Sequence, residues 1–251
     1  MQMTASIQWQ EQIEQVCASL GTQKIDLLLD QSAWDTCAIP ALNAVRPAIA
    51  WFSLFSGTPE ESLLEQAPLL MRLDLAHWQH QAWLEELINY CATDARLLVV
   101  ISPLSFEDLS LALQALSHMQ WGGQAGLLRY YDPRIFAPLM SSILTPDQRN
   151  QYLQTATYWG WLDRDHQPQW LPGTCQAQQQ SSDVSPMLVL SDLQCDVIGC
   201  ISDAQRLLDS GDFDSLETSQ ERRFTSLYSW ALQASQENYF GDLAEYVRQK
   251  R

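Results

Sequence analysis

Apolar positions along the chain follow two alternating periods. Ile13, Val16, Cys17 and Leu20 recur at offsets of 0, 3, 4 and 7, one face of a helix, and Gly21 follows where a helix stop is expected. Residues 25–29 are apolar apart from Asp26 and too short for a helix, which predicts a buried strand; residues 68–73, 97–101 and 125–130 repeat that pattern. Between the strands, Leu84, Leu87, Ile88 and Cys91 share one helical face, as do Phe106, Leu109, Leu113 and Leu116 behind the N-cap candidate Ser105. Buried strands alternating with amphipathic helices predict an α/β fold, a mostly parallel sheet flanked by helices.

The pattern changes near Trp159. Trp159-Gly160-Trp161 and Gln169-Trp170 bracket the polar stretch Asp163-Arg164-Asp165-His166, which predicts a two-stranded excursion closing the α/β lobe. Residues 174–186 are Gln- and Ser-rich without periodicity and read as a linker. Beyond them Leu190, Leu193, Val197, Ile201, Ala204 and Leu208 trace a helical stripe, Phe224, Leu227, Tyr228, Ala231 and Leu232 a second, and Leu243, Tyr246 and Val247 a short third. The expected organisation is an α/β lobe over 1–173, the linker over 174–186 and a small all-α C-terminal lobe over 187–251, which is too short to bury much surface alone.

Charge then narrows the partners. Lys+Arg 14 against Asp+Glu 30 leaves −16, a field that repels phosphate backbones and anionic headgroups, so neither nucleic acid nor a membrane is an expected partner. No run approaches the ~18 apolar residues of a membrane span. Glu11 and Glu14 stand where a signal peptide would be apolar, so a cytoplasmic location is expected. The six Cys form no Cys-x-x-Cys or Cys/His comb and are expected as buried, reduced thiols. At least half of the ten Trp, Trp78 and Trp83 among them, are expected to fill the core. From Asp183 to Glu217 eight acids meet only Arg206, either a solvated helix face or an acidic docking face, whereas the terminus is basic.

Catalytic constellations are missing: the chain has no Gly-x-Ser-x-Gly elbow, Walker loop or His-Glu-x-x-His. Gly122-Gly123 precedes a strand and reads as a turn. His77 and His80 are three apart but lack a third ligand and read as exposed helix polars, so no metal and no cofactor are expected. The densest signal is Arg129-Tyr130-Tyr131-Asp132-Pro133-Arg134. Asp132 suits an N-cap and Pro133 the first helical position, which makes this a strand-to-helix corner with Arg129 and Arg134 placed to pair with the carboxylate. Alternatively, the guanidiniums and Tyr rings present a binding surface at the strand end.

That motif resembles the Arg-Tyr/Phe-Tyr-Asp-Pro-Arg signature of the adaptor proteins, or effector chaperones, of bacterial type VI secretion, long catalogued as a domain of unknown function. Leu54-Phe55-Ser56-Gly57-Thr58, Ala67-Pro68-Leu69-Leu70 and Leu144-Thr145-Pro146-Asp147-Gln148 followed by Trp159 are similar to its other blocks, and the resemblance spans about 25–170. It implies a non-catalytic adaptor that binds a cognate secreted effector and helps load it onto the valine-glycine repeat spike, with the spike-tip protein as a second candidate partner and direct contact with it left open. Expected partner contacts are Arg129, Tyr130, Tyr131, Asp132, Arg134, Trp159, Trp161 and Trp170, with the tail helices; aromatic anchors suit a reversible protein binder. The alternative is an α/β enzyme or a binder of a small anionic ligand, with its pocket at the Arg129 to Arg134 corner.

Overall fold

A computed structural model describes residues 2–32, 34, 37–91, 95–176 and 187–250. In chain order its elements are α1 (Gln2–Leu20), β1 (Lys24–Leu29), α2 (Ile39–Ala44), β2 (Ala50–Ser53), a 3-10 turn (Glu61–Gln66), β3 (Leu69–Asp74), α3 (Trp78–Tyr90) and β4 (Leu97–Ile101). Then follow α4 (Phe106–Ser117), β5 (His118–Trp121), β6 (Gln124–Leu127), α5 (Pro133–Pro138), a π-helical turn (Leu139–Ile143), α6 (Pro146–Leu153), β7 (Tyr158–Leu162) and β8 (Pro168–Pro172). The chain ends with β9 (Leu188–Val189), α7 (Asp192–Asp209), α8 (Gln220–Gln236) and α9 (Leu243–Lys250). The expected linker falls mainly on residues 177–186, outside the described residues.

Six strands form the main sheet in the order β2-β3-β1-β4-β7-β8, and every neighbouring pair is antiparallel. The expectation of a mostly parallel sheet is therefore wrong. The crossover from β3 through α3 to β4 does return the chain in the same direction, but β1 lies between those two strands and runs against both. The crossover from β1 through α2 to β2 likewise straddles β3, so residues 24–101 form a split βαβ arrangement. Hydrophobic periodicity reports burial and says nothing of which strand lies beside which. The short β2 lies within an apolar run, residues 48–52, that the strand reading passed over, and of its four residues only Ser53 is fully buried.

A central register contact is charged. Asp26 of β1 stands directly opposite Arg72 of β3, and the guanidinium meets the carboxylate through Nε at 2.7 Å and Nη2 at 2.8 Å. Arg72 also donates to the Leu104 carbonyl at 3.1 Å. A one-residue slip of β1 against β3 would turn Asp26 to the face opposite Arg72 and break the pair, so this contact holds the register.

Pleating splits the strands between two cores. Leu27, Leu29, Leu69, Met71, Leu73, Val99 and Ile101 face α1, α2 and α3, where Trp9, Ile13, Cys17, Leu42, Trp83 and Leu87 are buried. Leu28, Leu70, Leu98 and Val100 face the other way, onto α4, α5 and the C-terminal helices. Ile201 and Ala204 of α7, Phe224 and Leu227 of α8 and Val247 of α9 belong to that second core. The tail is packed on the sheet.

Other expectations need correction. Residues 125–130 are not a strand with both faces covered. β6 is half-exposed and pairs with β5 through a turn at Gly122 (φ 56) and Gly123 (φ 79), in a separate three-stranded sheet with β9. Trp9, Trp83 and Trp159 are buried and Trp34, Trp51, Trp161, Trp170 and Trp230 pack half-buried against the two cores, but Trp78, expected among them, is 71% exposed on α3. His80 is buried, not an exposed polar residue: its Nδ1 accepts from the Asp74 N–H at 2.9 Å and its Nε2 meets the Pro47 carbonyl at 3.0 Å. Cys17, Cys91, Cys175 and Cys200 are buried, whereas Cys37 and Cys195 are half-buried. Burial and the charge of Glu14 push the Cys17 thiol up to about 11, which disfavours its nucleophilic thiolate.

Candidate functional site

The corner forms as its residues dictate. Asp132 is the N-cap of α5 and accepts from the Arg134 N–H at 3.0 Å, and Pro133 occupies the first turn. Arg134 folds back on the cap, with Nε 2.9 Å from Oδ1 and Nη2 2.7 Å from Oδ2, a bidentate pair that locks the turn. Asp132 is buried, and these donors satisfy its carboxylate oxygens.

Arg129 does not complete that pair. Its Nη2 reaches Asp30, just beyond the end of β1, at 2.8 Å and the Ser32 hydroxyl at 3.1 Å. Arg96, just before β4, meets the same Asp30 oxygen at 3.3 Å, and its carbonyl accepts from the Asp30 N–H at 2.9 Å. Burial works against the Asp30 charge, but donors from Ser32 and Arg129 outweigh it and hold the carboxyl below its ordinary value. Asp30 carried no signal in the sequence, because its partners lie 66 and 99 residues away.

The remaining candidates separate. Tyr130 is buried, donates to the Leu113 carbonyl at 2.8 Å and packs against Tyr152 (5.1 Å) and Trp159 (6.4 Å). Tyr131 is buried beside it, and its phenol is pushed up to about 12 by burial first and by the Asp30 charge next. Trp159 is enclosed against Phe136 at 4.9 Å, and Trp161 packs half-buried on the same ring at 5.4 Å. Trp170 lies on the opposite face of the sheet, 5.2 Å from Trp9. The eight residues therefore form no single groove, and half-exposed Arg129 is the most accessible member of the corner. Both guanidiniums already face carboxylates, so an anionic ligand would have to displace them.

The polar stretch 163–166 has a role that its composition did not reveal. Arg164 is buried and donates to Gln205 of α7 at 3.1 Å, pairs with Glu221 of α8 at 3.3 Å and reaches the Arg134 carbonyl at 3.4 Å. Asp165 accepts from the Ser219 hydroxyl and from the Gln220 N–H at 2.7 Å, at the start of α8. The β7–β8 turn thus joins the corner to the C-terminal helices. Basic residues of the terminus meet acids upstream, Arg248 with Asp212 at 2.8 Å and Lys250 with Glu237 at 3.2 Å.

Fold and corner together define a mixed α/β protein with an antiparallel sheet and an ion-paired strand-to-helix turn. Residues 27–151 match the family described as Domain of unknown function (DUF4123), a span that holds the whole Arg129 to Arg134 motif. No curated protein and no solved structure matches the chain. Among the described residues no helix is long and apolar enough to cross a membrane, and no cluster of His, Cys, Asp and Glu could hold a metal ion.

Proposed function

We propose that the protein is a non-catalytic adaptor of type VI secretion that holds a cognate effector and helps load it onto the valine-glycine repeat spike. The observation that carries this reading is the family match over residues 27–151, within which the Arg129 to Arg134 signature stands intact. The geometry of the corner supports it. Tyr130, Tyr131 and Asp132 are buried around an ion-paired turn, an arrangement that shapes a scaffold and leaves no charged group free for proton transfer. Apolar side chains stand in solvent elsewhere, including Trp121 (44%), Leu193 (69%) and Phe240 (95%), as a surface for protein contact requires.

Co-expression with the product of the adjacent gene, followed by size-exclusion chromatography, tests the proposal. Stable co-elution is the expected result. Separate elution at micromolar concentration, together with turnover of a small substrate by the purified protein, would reject it.

A further inference from the structure

Among the described residues a half-open groove of about 770 Å³ runs between α7, α8 and the turn into α9. Gly199 lines it at the surface, and Cys200, Ala231 and Ala234 are buried beneath it. A Cβ added at Gly199 would meet nothing within 4 Å, so the space above α7 is open there. Small side chains let another backbone come close, and the volume is roughly that of two turns of a helix ~10 Å across.

Phe240 belongs to this lining and is 95% exposed. The turn that carries it is defined. Asn238 (φ 51) ends α8 in the left-handed region, and the Tyr239 N–H donates to the Ala234 carbonyl at 2.9 Å. The Tyr239 ring packs on Tyr246 at 4.9 Å, and a side chain at Gly241 would collide with Tyr239. An aromatic ring held in water by a shaped turn gains free energy when a partner covers it.

Charge selects the partner. Asp196, Asp203 and Asp242 line the groove, and among the described residues Arg206 alone opposes them, already paired with Asp203. The chain's net charge of −16 works against a second copy as the occupant and attracts a cationic one.

We propose that this groove binds an amphipathic helix of the client protein, apolar on the side that meets Phe240 and rich in Lys and Arg on its flanks; the identity of the occupant as client rests on the adaptor reading above. The apolar face packs on Phe240 beside the open position at Gly199, and the flanking cations meet Asp196 and Asp242.

The test uses the full chain and a fluorescein-labelled 18-residue helical peptide with a Leu/Phe face and Lys flanks, read by fluorescence anisotropy. Its counterpart carries Glu in place of Lys. Gly199→Trp fills the groove without a backbone clash and removes a helix glycine, so it should fold; Phe240→Ala removes the aromatic ring, and Trp78→Ala on α3 is the control. The basic peptide should bind the natural protein, weaken at least tenfold with Gly199→Trp and with Phe240→Ala, and bind the Trp78→Ala protein unchanged. Equal binding of the acidic peptide, unaltered affinity in both groove variants, or no binding would overturn the inference. Co-elution of the client with a protein that ignores the basic peptide would sink the groove and spare the adaptor reading. Peptide binding without any co-eluting client would do the reverse.

Discussion

The guanidinium of Arg164 stacks on the Phe224 ring, its central carbon 3.3 Å from the ring centroid, and so fastens α8 to the β7–β8 turn. The same side chain is buried and pairs with Glu221, so one residue combines a cation–π contact, an ion pair and a hydrogen bond to Gln205. Replacing Arg164 by Ala should destabilise the protein by about 2–3 kcal/mol, seen as a fall in melting temperature of about 4–10 °C. Limited proteolysis should then cut within residues 187–250 first. Unchanged melting would show that the C-terminal helices dock without this contact.

The corner should behave as structure. Asp132→Ala removes the N-cap of α5 and leaves Arg134 without its bidentate partner, a loss of about 1–3 kcal/mol in chemical denaturation. Arg134→Ala should lower stability in the same direction. An Arg134→Ala protein that melts normally but fails to retain the client would instead make Arg134 a contact residue.

Two glycines should respond in opposite ways. A Cβ at Gly160 would lie 2.7 Å from the Trp170 ring and 2.8 Å from the Trp9 ring, so Gly160→Ala overpacks the first core and should destabilise by about 1–3 kcal/mol. Gly199 has open space above it, and Gly199→Ala should stabilise α7 by about 0.5–1 kcal/mol. Thermal melts of the two variants, moving apart in sign, check both statements.

Acid unfolding should report Asp30. Its folded pKa is depressed, so the stability it contributes is fully present above the unfolded value near pH ~4 and is lost as pH falls through the folded value. Asp30→Asn should flatten the stability curve below about pH 4 while lowering stability at neutral pH, where Arg129 loses its charged partner. An identical acid limb in the variant would contradict this.

Alkaline unfolding should report Tyr131. Its phenol is raised to about 12, so the folded state holds the proton more tightly and its contribution is lost as pH climbs from the unfolded value near ~10 toward 12. Tyr131→Phe should remove that part of the alkaline loss, measured by denaturant midpoints across that window.

The chain's own pattern determined the elements it could mark locally. Apolar runs placed β1, β3 and β4, helical stripes placed α1, α3, α4 and the three C-terminal helices, and Asp132-Pro133 placed the start of α5, because burial and capping act within a few residues. Tertiary structure alone decided the order and direction of the strands, since β1 and β3 enter between partners that follow one another in sequence. It also decided the partners of the charges. Arg129 looked nearest to Asp132 along the chain yet pairs with Asp30, and Arg164 looked like part of a polar loop yet lies buried against α7 and α8. An ion pair or a shared core depends on distance in space, and the long-range closure that creates it leaves no period in the sequence.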